Sequence, residues 1–412
     1  MKKKYNSIDR TNLKDSESAR RLYEIMLRWI PFADSTYNDC SYIDGAGHFF
    51  GGSYFYSVET AIPMFLYTVV SGFGDYDESI THIPREELET KAIKALKYLC
   101  MTNEYGPKGV VREKSTNVYA NGTKWGAKGE EFFRASAIGR TGLLMAVTAL
   151  MFRDRIDDDT FRIVEKIVTS YSDRWSGELP RAGTYFDTQC EENAWTALGI
   201  SGGLVLYKEH PHREKWIEGF NRWAINSIGT YKDRMNTDQY MGKSLRNFWM
   251  KGVTFHPDYT TENHSFIHPE YMAAGIVLKA EAAATLLMTG NALPDTIFRN
   301  NENVYEKTIG KWCQEDGLII PVQGQDWWYT RYHGNHMLHT AMSLFHKKEN
   351  SSVYLQKSIE MMEKLQNSHA LGTLLEENPD QTIDEYGHYR LRDMEHASVM
   401  SLIYSFLLHI YL

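Results

Sequence analysis

The residues best equipped for chemistry fall into four clusters, each placed just ahead of a run of apolar helix-forming residues. The densest is His256-Pro257-Asp258-Tyr259-Thr260-Thr261-Glu262-Asn263-His264-Ser265-Phe266-Ile267-His268-Pro269-Glu270-Tyr271, which precedes the apolar stretch Met272 to Leu287. A helix start offers unpaired N–H groups and the positive end of the helix dipole, which stabilise a developing anion and hold a nearby imidazole neutral. His264 or His268 could then act as a base. Pro269 also suits a first helical turn, so His268 as a cap neighbour and Tyr271 as a core residue is an equally open reading. His264 and His268 stand four apart, but the proline between them is poorly suited to a zinc-binding helix face, and no metal is expected.

The second cluster is Gln323-Gly324-Gln325-Asp326-Trp327-Trp328-Tyr329-Thr330-Arg331-Tyr332-His333-Gly334-Asn335-His336. Rings interleaved with charge suit a carbohydrate groove: Trp327, Trp328, Tyr329 and Tyr332 stack on sugar faces, while Gln325, Asp326, Arg331 and His333 fix hydroxyls or carboxylates. The third is Tyr185-Phe186-Asp187-Thr188-Gln189-Cys190-Glu191-Glu192-Asn193-Ala194-Trp195. Asp187 or Thr188 can cap the helix that follows, and Glu191 and Glu192 suit its first turn. Asn193 and Trp195 are harder to explain as helix formers, and an Asn amide can donate to a ligand carboxylate. In the fourth, Lys124-Trp125-Gly126-Ala127-Lys128-Gly129-Glu130-Glu131-Phe132-Phe133-Arg134, Trp125 and Arg134 are candidate groove residues, with Arg140 further along. His48, Tyr54 and Tyr56, and Glu376, Glu377, Tyr386, His388 and Arg390, are lesser candidates.

Phosphate-binding glycine loops and the Gly-x-Ser-x-Gly elbow are absent from the sequence. The acidic run Asp154 to Asp159 reads as a turn and helix cap. The four cysteines, Cys40, Cys100, Cys190 and Cys313, lack CxxC spacing and read as reduced, packed thiols. A net charge of -8 argues against a nucleic-acid partner. Apolar runs stay short of about 20 uninterrupted residues, so no membrane span is expected. The start, Met1-Lys2-Lys3-Lys4-Tyr5, runs into Asp9 and Arg10 without an apolar region. It reads as cytoplasmic, or as secreted or periplasmic if a leader has been removed.

Positioning these clusters requires a scaffold, and 3.6-residue periodicity dominates the chain. Helices are expected near 17–30, 57–71, 86–102, 130–152, 159–174, 191–208, 211–229, 269–290, 298–314, 335–347, 351–367 and 395–411. The best strand candidate is Gly317 to Val322. No Gly/Ser/Pro linker divides the 412 residues, which reduces the expectation from length to one all-α domain over 1–412. Short turns alternate with long Gly- and aromatic-rich loops. That pattern fits an (α/α)6-type toroid, an incomplete double ring of helical hairpins with little β, better than an open solenoid, which would show a sharper repeat.

The segments Glu192-Asn193-Ala194-Trp195, Asn263-His264-Ser265-Phe266-Ile267-His268-Pro269-Glu270-Tyr271 and Gly324-Gln325-Asp326-Trp327-Trp328 resemble the α/α-toroid polysaccharide lyases of the heparinase-like and chondroitin or hyaluronate lyase-like groups. The resemblance is in scattered motifs over about 120–335. It implies a toroid-only member, an anionic poly- or oligosaccharide partner, no cofactor, and β-elimination at a uronic acid. In that chemistry Asn193 would neutralise the carboxylate, and His264 or His268 would be the base or its partner. Tyr271 would shuttle a proton, with Tyr329 or Tyr332 as substitutes, and Arg331 would anchor the sugar. Trp125, Arg134, Trp195, Glu262, Asn263, Gln325, Asp326, Trp327, Trp328, Tyr332 and His333 would bind substrate. Two other functions compete: a toroidal glycoside hydrolase of the unsaturated-uronyl type or a sugar epimerase, needing a carboxylate or His pair in one pocket, and a non-catalytic glycan-binding protein.

Overall fold

The computed structural model describes residues 4–49, 58–113, 121–126, 132–183, 185–323, 335–375 and 390–412. Its helices pair in sequence: α1 (Glu17–Ser35) with α2 (Val58–Gly72), α3 (Arg85–Thr102) with α4 (Phe132–Met151), α5 (Asp158–Gly177) with α6 (Cys190–Leu206), and α7 (Arg213–Ser227) with α8 (Pro269–Met288). The last two pairs are α9 (301–312) with α10 (Asn335–His346) and α11 (Glu349–Ser368) with α12 (Arg390–Tyr411). The even-numbered helices form an inner ring. α2 packs on α4, α4 on α6, α6 on α8, α8 on α10, α10 on α12, and α12 returns to α2. The odd-numbered helices lie outside, each against its inner neighbours, with α11 reaching α1. The fold is an all-α toroid. The sequence suggests an incomplete ring, but the inner ring closes through α12.

Helix composition explains the layering. Outer helices bury one stripe, as α1 does with Leu22, Ile25, Met26, Trp29 and Ile30. Inner helices are buried nearly all round, so α8 reads as apolar throughout. It is long and apolar enough to cross a membrane, yet 83% of its most apolar window is buried inside the protein. The outer starts are capped locally. Ser16 accepts from the Ala19 N–H at 3.1 Å, and Asp157 from the Thr160 N–H at 2.6 Å, which makes the acidic run a turn and cap. α9 is the irregular member, with a π-turn at Tyr305–Ile309 between two short α segments. The expected strand at Gly317 to Val322 reduces to a bridge between Cys313 and Ile319. Regular β structure among the described residues is confined to four two-stranded ribbons. All four cysteines are unpaired, three of them buried.

An N-terminal strap crosses one end of the ring. Lys4–Tyr5 pairs with Tyr207–Glu209, and Asn6 Nδ2 donates to the carbonyls of Leu204 and Val205 at 2.9 and 2.8 Å. The Asp9 N–H reaches the Met288 carbonyl and the Lys14 N–H the Ile410 carbonyl, each at 2.7 Å. The strap thus supplies donors to the C-terminal carbonyls of three inner helices, groups a helix leaves unpaired.

α4 and α6 approach through glycine. A Cβ on Gly199 would come within 2.3 Å of the Tyr171 ring and 2.7 Å of the Gly139 Cα, while Tyr171 donates to the Ser136 carbonyl at 2.6 Å. Gly199→Ala is expected to cost about 1–3 kcal/mol through overpacking. Urea unfolding would check this, with Gly142→Ala, whose Cβ meets only Ile167 at 3.5 Å, as the tolerated control.

Candidate functional site

The loops entering α6 and α8 meet at the end of the ring opposite the strap and are locked together. The Thr188 N–H donates to the Glu262 carbonyl at 3.2 Å, and the Ser265 N–H to the Phe186 carbonyl at 3.0 Å. The Phe186 N–H donates to Glu262 Oε2 at 2.8 Å, and the Thr188 and Thr261 hydroxyls touch. Phe186, Gln189, His264 and Ser265 all have left-handed backbone, at φ 82, 63, 52 and 77°. Such strain in residues other than glycine clusters at sites where structure serves function. Tyr185 and Phe186 are exposed on this rim.

Two buried asparagines hold the loops. Asn193 Nδ2 donates to the carbonyls of Arg181 and Asn226 at 2.8 and 2.9 Å, and its Oδ1 accepts from the Arg181 N–H at 3.0 Å. Asn226 Oδ1 in turn accepts from the N–H groups of Lys251 and Gly252 at 2.8 and 3.2 Å, and its Nδ2 donates to the Trp249 carbonyl at 2.8 Å. The role expected for Asn193 as a carboxylate neutraliser is therefore corrected: both amide hydrogens are committed to backbone.

The carboxyls in the first turns of α6 and α8 are the chemically distinctive groups. Glu191 and Glu270 retain partial accessibility although protein surrounds them densely. Burial pushes both well above the usual carboxylate range. For Glu191 the charges of Glu192, Glu270 and Asp187 push the same way, while Arg140 pulls against them. Buried Glu192 is raised to about 7, by burial first and Asp187 second, and its Oε2 has no hydrogen-bond partner. One turn along α6, half-buried Trp195 has the Arg140 guanidinium 6.0 Å from its ring centroid. Deeper still, Arg140 pairs with the buried Glu281 of α8 at 3.0 Å. The charge of Glu281, after burial, also holds the buried Tyr404 hydroxyl protonated. This arrangement can hold a proton on one carboxyl beside an ionised one, next to a ring platform.

His264, Tyr271 and His268 lie side by side. Exposed His264 lies 5.2 Å from the Tyr271 ring, and Tyr271 meets His268 edge-on at 4.6 Å. His268 is itself fully buried and stacks on Phe266 at 5.3 Å.

Other expected substrate-binding residues have structural duties. Trp125 is a core residue donating to the Leu99 carbonyl at 2.9 Å, so it forms no groove wall. Glu262 holds the Phe186 N–H and faces His256 Nε2 at 3.2 Å, which ties both of its oxygens into the rim. Asn263 is buried within the Glu262–Asn263/Phe266–Ile267 ribbon. Gln325, Asp326, Trp327, Trp328, Tyr329, Arg331, Tyr332 and His333, and the side chain of Arg134, lie outside the described residues. His339 bonds the Gly317 carbonyl at 2.9 Å, and no group of three ligand-type residues among those described could hold a metal.

Sequence reasoning missed Glu191, Glu270 and Glu281. The available signal was their isolation: Glu191 and Glu192 are the only charges in α6, and Glu270, Lys279 and Glu281 the only ones in α8. A charge in a helix buried all round needs a partner or a cavity.

No family model matches the sequence, and no curated protein matches it. Among solved structures, a family 76 glycoside hydrolase from a bovine Bacteroides thetaiotaomicron strain is similar over 94% of this chain and 77% of its own. The identity is 11% and the TM-score 0.47.

Two outcomes follow from this geometry. Asn193→Ala is expected to destabilise the fold by about 1–3 kcal/mol, because it strands buried backbone groups; chemical denaturation would measure the loss. Glu192 binds its proton more tightly folded than unfolded, so its contribution to stability is full below about 4.5 and lost as pH rises through about 7. Glu192→Gln should flatten that part of the pH–melting profile and raise stability above pH 7 relative to the parent.

Proposed function

We propose that this protein is a glycoside hydrolase of toroidal architecture. The observation that carries the reading is the pair Glu191 and Glu270, in the first turns of adjacent inner helices at the open end of the ring. Glycosidic cleavage needs two carboxyl groups in different protonation states: one to protonate the leaving oxygen, the other to activate water or attack the anomeric carbon. Burial pushes both carboxyls up, and for Glu191 the charges of Glu192 and Glu270 push the same way, which favours the protonated form that an acid needs. Trp195 offers a ring face for the sugar, and Arg140, tied to Glu281, holds positive charge behind Glu191. The glycan lies on the rim, where Tyr185 and Phe186 are exposed.

A second reading is β-elimination at a uronate. It rests on the ring contact between exposed His264 and half-buried Tyr271, a base and a proton carrier side by side. Its cost is the loss of Asn193 as carboxylate neutraliser.

One assay set separates the two readings. Incubation with neutral and acidic oligosaccharides should release reducing ends without ultraviolet absorbance. Glu191→Gln and Glu270→Gln should each lower the rate by about 10²–10⁴-fold, while Tyr271→Phe should leave most of it. Absorbance from an unsaturated uronate, lost in Tyr271→Phe and kept in Glu191→Gln, would replace hydrolysis with elimination.

A further inference from the structure

We propose that a cleft on the flank of the ring, between the α3/α4 and α5/α6 hairpins, is a second ligand site that takes a single ring bearing a carboxylate. It is separate from the carboxyl cluster and does not depend on the hydrolase reading. The cleft encloses about 290 Å³, the small end of ligand pockets and room for one ring rather than a chain.

Gly139, Gly142 and Gly199 line the cleft; Gly139 and Gly199 are closed by each other and by the Tyr171 ring, and Gly142 is the one that leaves room, since a Cβ there would meet only Ile167, at 3.5 Å. Tyr171 and Trp175 form part of the wall.

Asn103, Ser170, Arg174 and Trp175 bring donors to the cleft, and the Glu104 carboxylate stands beside Gly126 at its edge. Asn103 and Trp175 are each 1% exposed. Asn103 Oδ1 accepts from the Tyr105 N–H at 2.9 Å, whereas its Nδ2 has no hydrogen bond among the described residues. The Trp175 indole N–H and the Ser170 hydroxyl likewise have none, although both residues line the cleft. The Asn103 and Trp175 donors belong to almost fully buried residues that line the cleft, so an acceptor on a ligand there would meet them.

Arg174 supplies the charge. Its Nε donates to Glu178 at 3.2 Å, and its guanidinium packs 4.3 Å from the Trp175 ring centroid, leaving the terminal nitrogens for a ligand. A guanidinium fork with neutral donors beside it matches a carboxylate, and the ring walls match an apolar ring face.

The test is titration of the full chain with glucuronate and with benzoate, and with glucose as the uncharged control, followed by saturation-transfer NMR and calorimetry. At least one carboxylate should bind in the millimolar range and glucose at least about tenfold more weakly. Arg174→Gln and the plugging variant Gly142→Met should each weaken that carboxylate by about tenfold or more. Trp195→Ala, which alters the axial site, should leave the titration unchanged. Glucuronate alone would identify a sugar acid and benzoate alone an aromatic acid. Three results would overturn the proposal: silence of both carboxylates up to about 10 mM, equal binding of glucose, or binding indifferent to both cleft variants. If Gly142→Met does not fold, Arg174→Gln decides alone.

Discussion

The arrangement of the open end depends on one buried hydrogen-bond relay, from the Arg181 backbone through Asn193 to Asn226 and on to Lys251 and Gly252. An amide side chain is unusual in serving as donor and acceptor at once, so two of them can tie three chain segments that have no regular ladder between them. The segments are the approach to α6, the end of α7, and the middle of the long connection that enters α8. The left-handed residues at Phe186, His264 and Ser265 are held by direct bonds between the two rim loops, and the relay anchors the segment before α6 to the end of α7.

The inner ring imposes a second constraint. Helices packed on all sides favour apolar residues, and each charge placed in them carries a desolvation cost that must be met by a partner or by access to a cavity. Both solutions occur here. Glu281 is met by Arg140 across the ring, and Lys279 by the Arg299 carbonyl at 2.9 Å. Glu191 and Glu270 keep partial access instead. The polar residues of the interior thus divide into those that hold the ring and those that face its opening.

The scaffold was largely legible in the sequence, and the site only partly. Apolar spacing placed all twelve helices, because that signal is local and each stripe reports its own burial. Only α9 departs in kind, where a π-turn interrupts a pattern that periodicity reads as continuous. The His264–Tyr271–His268 contact was legible because it lies within one short segment. Glu191 was read as an ordinary first-turn acid, which its sequence position fits equally well; what distinguishes it is Glu270, 79 positions away and brought near only by ring closure. Asn193 and Trp125 misled for the converse reason. Their types suggest recognition, but the partners that commit them, Asn226 and Leu99, come from other hairpins.

The strap over the ends of α6, α8 and α12 gives the toroid a topology that its helices alone do not. A ring of six inner helices is formally a tube, yet residues 4–14 cross one end, anchored by main-chain bonds to Leu206, Met288 and Ile410. That end of the ring is therefore closed by main chain, while the loops entering α6 and α8 gather at the other, so the two ends of one helical ring carry different duties.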